Sequence, residues 1–530
     1  MFYLMEPVSF EKNNAIIHEL FLKYKDNEYA INRLEGYINN LNHLLEIDIT
    51  NFEKRQLRTN ELTNEYDTFC KVFLSKHKYY YLSNNNCFYE YDNKTYKIIK
   101  EDDIHYNLLS TITEEGKLLQ WKHKTKINII KLIKERKLFH SIPETYTIQS
   151  VLGFLQSLMF QSKNSVKYFL TVIGDTLLKK NNSYIYFIHP NVKKMVGFID
   201  EIVYITTGFN LNNFVSKHHS SHISTNYRII QTKEVDISTD VVKEMLHKIA
   251  IDLLCVAAHY SHRYQSSENY LERISKEDVS FYNHTLFFIN HTQENIIDSF
   301  IKECFIQVVD TDTTSTSVSW KNLHYIWKLY ISQLNVPNMI YSNQLKDFVK
   351  TRLDYNTEQD SFIHVTSKYL PQISVFLHFW EKYIVIDATN SLHNYEIEEI
   401  SSLFKSIDNK TTFSSDKEML KIIKHFFDTQ VQIIDDKFIT NIRCILWDKI
   451  EDIKTAIYDL KISLVSETEQ LISFDDLYNK YHAYCNANMY VNKSSAFIVS
   501  KHYFEKYVFQ HLSEFIKFDS FLDLKLFLEQ

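Results

Sequence analysis

Apolar side chains recur every three or four positions between residues 9 and 75: Ile16, Leu20 and Tyr24, then Leu34, Ile38, Leu41 and Leu45. That period is the signature of α-helix and is foreign to strands, whose inward residues alternate. Glu, Lys and Asn fill the intervening positions and give each helix a solvated side. A tyrosine-rich stretch follows over residues 79–99, with Tyr79-Tyr80-Tyr81 and Phe88-Tyr89 around Asn84-Asn85-Asn86, and predicts a short β-hairpin. Together these define a helical N-terminal region over 1–110.

Further along, the period is helical with short β interruptions. Residues 111–240 read as mixed α/β, opened by a basic helix; Ser183–Ile188 and Val203–Ile205 look strand-like, and Gly174-Asp175 looks like a breaker. Residues 241–335 return to helix. From 336 to 465 the pattern is short helices and a two-stranded wing: Asn343 and Ser415 are candidate caps, and Asp435-Asp436 is the turn between Val431–Ile434 and Lys437–Ile442. Residues 466–530 form a last small helical module. The expected fold is mainly α with small β hairpins (α+β), multidomain, with one or two winged-helix-like modules in the C-terminal third.

At 530 residues and 45% apolar, the chain can bury several cores. Six glycines and five prolines are too few for a disordered or fibrous chain. The six cysteines are scattered without a CxxC pair, which suits free thiols in a reducing compartment. No apolar run approaches the length of a membrane span, so no membrane partner is expected. A formal charge of −7 excludes a uniformly basic, histone-like coat.

The densest positive charge lies between Lys117 and Lys137, where eight basic residues face one acid, Glu135. Lys122, Lys124, Lys126, Lys131, Lys134, Arg136 and Lys137 flank an apolar side of Ile127, Ile130, Ile133 and Leu138. A cationic amphipathic helix can track a phosphate backbone; equally, it can be a solvated face answering acidic neighbours. Cys255, His259 and His262 share a helical face at a spacing that zinc tolerates, with His218, His219 or His222 as a possible fourth ligand. Buried, hydrogen-bonded side chains explain them as well, and neither metal nor any other cofactor is assigned. Asp387 with Asp435, Asp436 and Lys437 loosely matches a metal-dependent nuclease set. No GxxxxGK[ST] phosphate loop occurs, and no catalytic residues are assigned.

In the last module Ser473 and Asp476 suit a capping box, and Ser500 can cap a second helix carrying Phe504, Val508 and Leu512. Lys501, His502 and Lys506 then lie on the outer side, where a recognition helix presents its groove contacts. Asp476-Leu477-Tyr478, Tyr481, Tyr484-Cys485 and Ser500-Lys501 with Phe504 resemble the winged-helix domains of viral primase–helicases and of regulatory-factor-X-type DNA binders. The segment from Ser473 carries six lysines against seven acids, a balance unlike most duplex binders.

Several longer blocks resemble an uncharacterised protein family of large nucleocytoplasmic DNA viruses, giant viruses included. They are Trp121-Lys122-His123-Lys124-Thr125-Lys126, Ile142-Pro143-Glu144-Thr145, Ile173-Gly174-Asp175, Ala258-His259-Tyr260-Ser261 and Trp447-Asp448-Lys449. The resemblance implies a viral protein acting in host cytoplasm, at replication or assembly sites, or packaged in the virion. The expectation is a non-enzymatic accessory factor in replication or transcription that binds DNA, double- or single-stranded, and other viral proteins. The alternatives are an interaction or virion scaffold protein without nucleic-acid contact and, remotely, a metal-dependent nuclease.

Overall fold

A computed structural model describes residues 10–116, 118–180, 183–218, 223–233, 239–308, 316–388, 392–407, 415–464, 471–492, 497–518 and 520–524. It is a mainly helical α+β protein built as two compact units, one of residues 1–215 with 230–285, the other of 216–229 with 286–530.

The first unit opens with α1 (Phe10–Lys23), α2 (Glu28–Asn39) and the long α3 (Leu41–Lys76). In place of a hairpin, the tyrosine-rich stretch forms a three-stranded antiparallel sheet, β1 (Lys78–Leu82), β2 (Cys87–Tyr91) and β3 (Tyr96–Ile99). Next come α4 (Glu101–Glu115), α5 (Lys122–Glu135), α6 (Thr145–Met159), α7 (Lys163–Leu177), β4 (Ile185–Phe187), α8 (Pro190–Thr207) and β5 (Phe214–Val215). The helices α9 (Thr239–Lys248), α10 (Ala250–Tyr264), α11 (Ser267–Ile274) and α12 (Val279–Thr285) complete the unit.

On α3 the positions Leu41, Leu45, Asp48, Phe52, Arg55, Thr59, Leu62, Tyr66, Phe69 and Phe73 alternate four and three apart without a break, a heptad seam. Its C-terminal part, from Leu62 onward, buries Leu62, Phe69 and Phe73 with Ile104, Leu108, Ile112 and Ile129 in one core. Its N-terminal part is bare: Leu45 is 56% exposed and Phe52 59%, and neither α1 nor α2 buries any residue.

The helices α7 and α10 cross at Gly174. A Cβ there would stand 2.1 Å from the Ala257 carbonyl oxygen, so only glycine lets the two backbones approach this closely. Gly174-Asp175 is therefore a helix crossing and not the expected breaker: α7 runs through it, and the glycine sets packing distance, not chain direction. Asp175 is buried beside it and accepts from Ser261 Oγ (2.5 Å) and the Ser267 amide (2.7 Å). Lys180 closes the network through the Ser261 and Gln265 carbonyls. Val203–Ile205, expected as strand, lies inside α8, where Ile199, Ile202, Val203 and Thr206 supply a helical inner face.

The second unit begins with β6 (Tyr227–Ile229) and α13 (Phe287–Asn290), and then repeats one topology three times among the described residues. The first copy is α14 (Gln293–Cys304), β7 (Phe305–Gln307), β8 (Ser317–Ser319), α15 (Trp320–Gln333), α16 (Ser342–Lys350), β9 (Tyr355–Asn356), β10 (Ser361–Ile363) and β11 (Val365–Ser367). The second is α17 (Leu370–Tyr383), β12 (Ile384–Ile386), β13 (Asn394–Glu396), α18 (Ile397–Ile407), α19 (Asp416–Phe426), β14 (Gln432–Ile434), β15 (Phe438–Thr440) and β16 (Ile442–Cys444). The third is α20 (Lys449–Leu464), β17 (Leu471–Ser473), α21 (Phe474–Asn492), α22 (Lys501–His511), β18 (Ile516–Lys517) and β19 (Phe521–Asp523).

In each copy the strand before the helix pair joins the last strand of the hairpin, giving sheet orders β8-β10-β9, β13-β15-β14 and β17-β19-β18, all antiparallel. The first two copies add a ribbon, β7 with β11 and β12 with β16. A left-handed residue sits at the same point in both, His364 (φ 60°) and Asn441 (φ 65°), and its carbonyl accepts from Val308 and Asp387 respectively. The expected helix–helix–wing pattern is thus present at both C-terminal stretches, and a further copy precedes them.

Candidate nucleic-acid interface

Helix α5 starts after a short 3-10 turn at Leu119–Trp121 and buries Thr125, Ile129, Ile130 and Ile133 against α4 and the β-sheet. Apolar residues at that spacing force the lysines outward. Lys124 stands 4.0 Å over the Trp121 ring, and Lys134 lies over Tyr81 and Phe88. Lys122 donates to Thr113 Oγ1 (3.3 Å), and Arg136 donates to the Leu74 carbonyl (2.9 Å).

Between α4 and α5 an open groove of about 460 Å³ is lined by Lys126, Lys131 and Lys134 with Glu101, His105, Ile127, Ile130 and Glu135. Glu101 lies 3.9 Å from Lys134 and 3.6 Å from His105. Burial, then the nearby Lys126, holds the His105 imidazole below its ordinary pKa, with Glu101 opposing. Lys131 and Lys137 are exposed, and no ion pair engages them among the described residues. Lys117, at the start of the same basic stretch, lies outside the described residues.

The residues expected on the last module are more occupied. Ser473 Oγ accepts from the Asp476 amide (3.1 Å) and donates to its carboxylate (2.6 Å), and Ser500 accepts from the Tyr503 amide, so both caps form. Helix α21 runs on through Asn486 and ends at Asn492. Lys501 is tied to Asp475 at 2.5 Å, the His502 ring lies 5.8 Å from Phe438, and Lys506 is half-buried. Third helices elsewhere show similar ties, Lys346 to Asp360 (2.7 Å) on α16 and Lys424 to Asp436 on α19.

The other sequence candidates are engaged structurally. Cys255 is fully buried, and burial drives its thiol pKa well up. Among the described residues no group of three or more His, Cys, Asp or Glu side chains is placed to hold a metal ion, while His219 and His222 lie outside them. Lys437 pairs with Glu396 (3.0 Å), and Asp435-Asp436 form the hairpin tip with positive φ.

A second basic cluster escapes sequence reading because its members are far apart in the chain. On α15, Lys321 donates to the Phe426 carbonyl (2.8 Å) and Lys328 meets His425 Nδ1 at 3.1 Å; His425 Nε2 in turn contacts the Lys321 carbonyl (2.9 Å). His324 lies 5.4 Å from His425, and Lys217 donates to the Asn338 and Ile340 carbonyls. Burial first, then the neighbouring lysines, depress both imidazoles to a pKa of about 4. A helix-spaced His324 and Lys328 was the only local signal.

No family model, curated protein or solved structure matches this chain. Among the described residues no helix is long and apolar enough to cross a membrane.

Proposed function

We propose that the protein is a non-enzymatic, nucleic-acid-binding accessory factor of viral replication or transcription. Its setting is the host cytoplasm or the virion, and its ligand is double- or single-stranded DNA. The observation that carries this reading is the outer side of α5, where Lys126, Lys131 and Lys134 line a groove whose acids among the described residues are Glu101 and Glu135. The threefold helix–strand–helix–helix–hairpin topology supports it, since that order is shared with winged-helix modules that set a helix in the major groove. The ties on Lys346, Lys424 and Lys501 favour backbone contact by α5 over base reading by the third helices.

The test is a gel shift of the full chain on duplex and single-stranded oligonucleotides at increasing salt. Retention that weakens steeply with salt is expected. Retention indifferent to salt, or none at micromolar protein, removes the reading and leaves a protein scaffold. One observation favours that second reading: the bare apolar side of α1–α3.

A further inference from the structure

We infer that α3 pairs with α3 of a second copy of this chain, antiparallel, along the seam between Leu45 and Thr59. The seam is continuous with the face that α3 buries in its own core, yet about four turns of it, Leu45 to Thr59, bury no side chain among the described residues. Isolated helices gain little stability in water, and the exposed Leu45 and Phe52 of this seam favour a cover.

What selects a second copy is the charge inside the seam. Asp48 and Arg55 occupy core positions where a coiled coil wants apolar residues, and among the described residues neither has an ion-pair partner. They lie two turns apart, about 10 Å along the axis, beyond direct reach of each other. A two-fold axis between Asn51 and Phe52 places each Asp48 against Arg55 of the other copy, twice over. It also brings the two Phe52 rings together at the centre. A parallel pair would instead set Asp48 against Asp48 and Arg55 against Arg55, and like charges at core positions are costly. Polar core residues that match in one register alone are the known device for fixing strand direction. The inference stands apart from the nucleic-acid reading, since it uses none of the α5 residues.

The experiment is light scattering on the full chain, with its charge-swap series. The wild type should show twice the chain mass of 63.4 kDa at micromolar concentration. Asp48→Arg or Arg55→Asp should each give monomer, and the Asp48→Arg/Arg55→Asp double variant should restore the dimer. Phe52→Glu should also give monomer; because the site lies outside the core, circular dichroism should stay that of a folded chain. A monomeric wild type, or a double variant no more dimeric than either single one, overturns the inference.

Discussion

The Gly174 α-carbon faces the Ala257 carbonyl so closely that a Cβ would stand 2.1 Å from its oxygen. Backbone cannot yield as a flexible side-chain tip can, so Gly174→Ala must separate α7 from α10 and open the core between them. Overpacking of this kind costs about 3 kcal/mol. Chemical denaturation should show that loss, and a variant as stable as wild type would contradict the crossing.

Asp252 sits buried at the start of α10 and accepts the Tyr96 amide at 2.7 Å. Burial outweighs that hydrogen bond and lifts its pKa from 3.8 to about 6. The folded state therefore binds the proton more tightly, and stability from this group is present below pH 3.8 and is lost as pH rises through 6. The loss is about 3 kcal/mol across that window. Asp252→Asn keeps the acceptor and removes the charge, so denaturation midpoints measured from pH 4 to 7 should flatten for this variant.

The histidine pair on α15 and α19 has the opposite sign. His324 and His425 are held near a pKa of about 4, so the unfolded chain binds more protons between that value and 6.5. Stability is present above pH 6.5 and falls as pH drops toward 4. Lys217, Lys321 and Lys328 add positive charge on that side, and Asp428 answers Lys328 only at a distance. Replacing both histidines by Gln should remove this acid sensitivity in melts at pH 4.5 and 7; unchanged sensitivity would contradict the assignment.

Lys449 is 2% exposed and lies 2.6 Å from Glu399, with the Tyr503 ring 3.9 Å from its ammonium. It joins the start of the third repeat to α18 of the second. Lys449→Met strands a buried carboxylate and should cost about 3–5 kcal/mol, whereas Lys449→Met with Glu399→Gln should recover most of that. Equal losses in the single and double variants would show that the charge pair is not the coupling.

The sequence made legible what rests on local chemistry. Ser473 and Ser500 cap helices, Asp435-Asp436 turn a hairpin, and Ile130 and Ile133 of α5 pack inward as expected, whereas Ile127 is exposed and Thr125 and Ile129 are buried in its stead. Three features were hidden for a physical reason. The repeats were obscured because their strands span two or three residues, too short for an alternation to register, and their marker is backbone sign at His364 and Asn441. Gly174 resembled a breaker because close helix contact leaves no mark on its own chain neighbours. The Lys217–His324–His425 cluster depends on tertiary contacts alone.

The most direct measurement is the salt dependence of DNA binding by anisotropy, wild type against Lys126→Ala/Lys131→Ala/Lys134→Ala. Each neutralised phosphate contributes roughly 0.9 to the slope of log K against log salt. The triple variant should bind more weakly at low salt, with a slope shallower by about 2–3. A variant with the wild-type slope would place the phosphate contacts elsewhere and contradict the role given to α5.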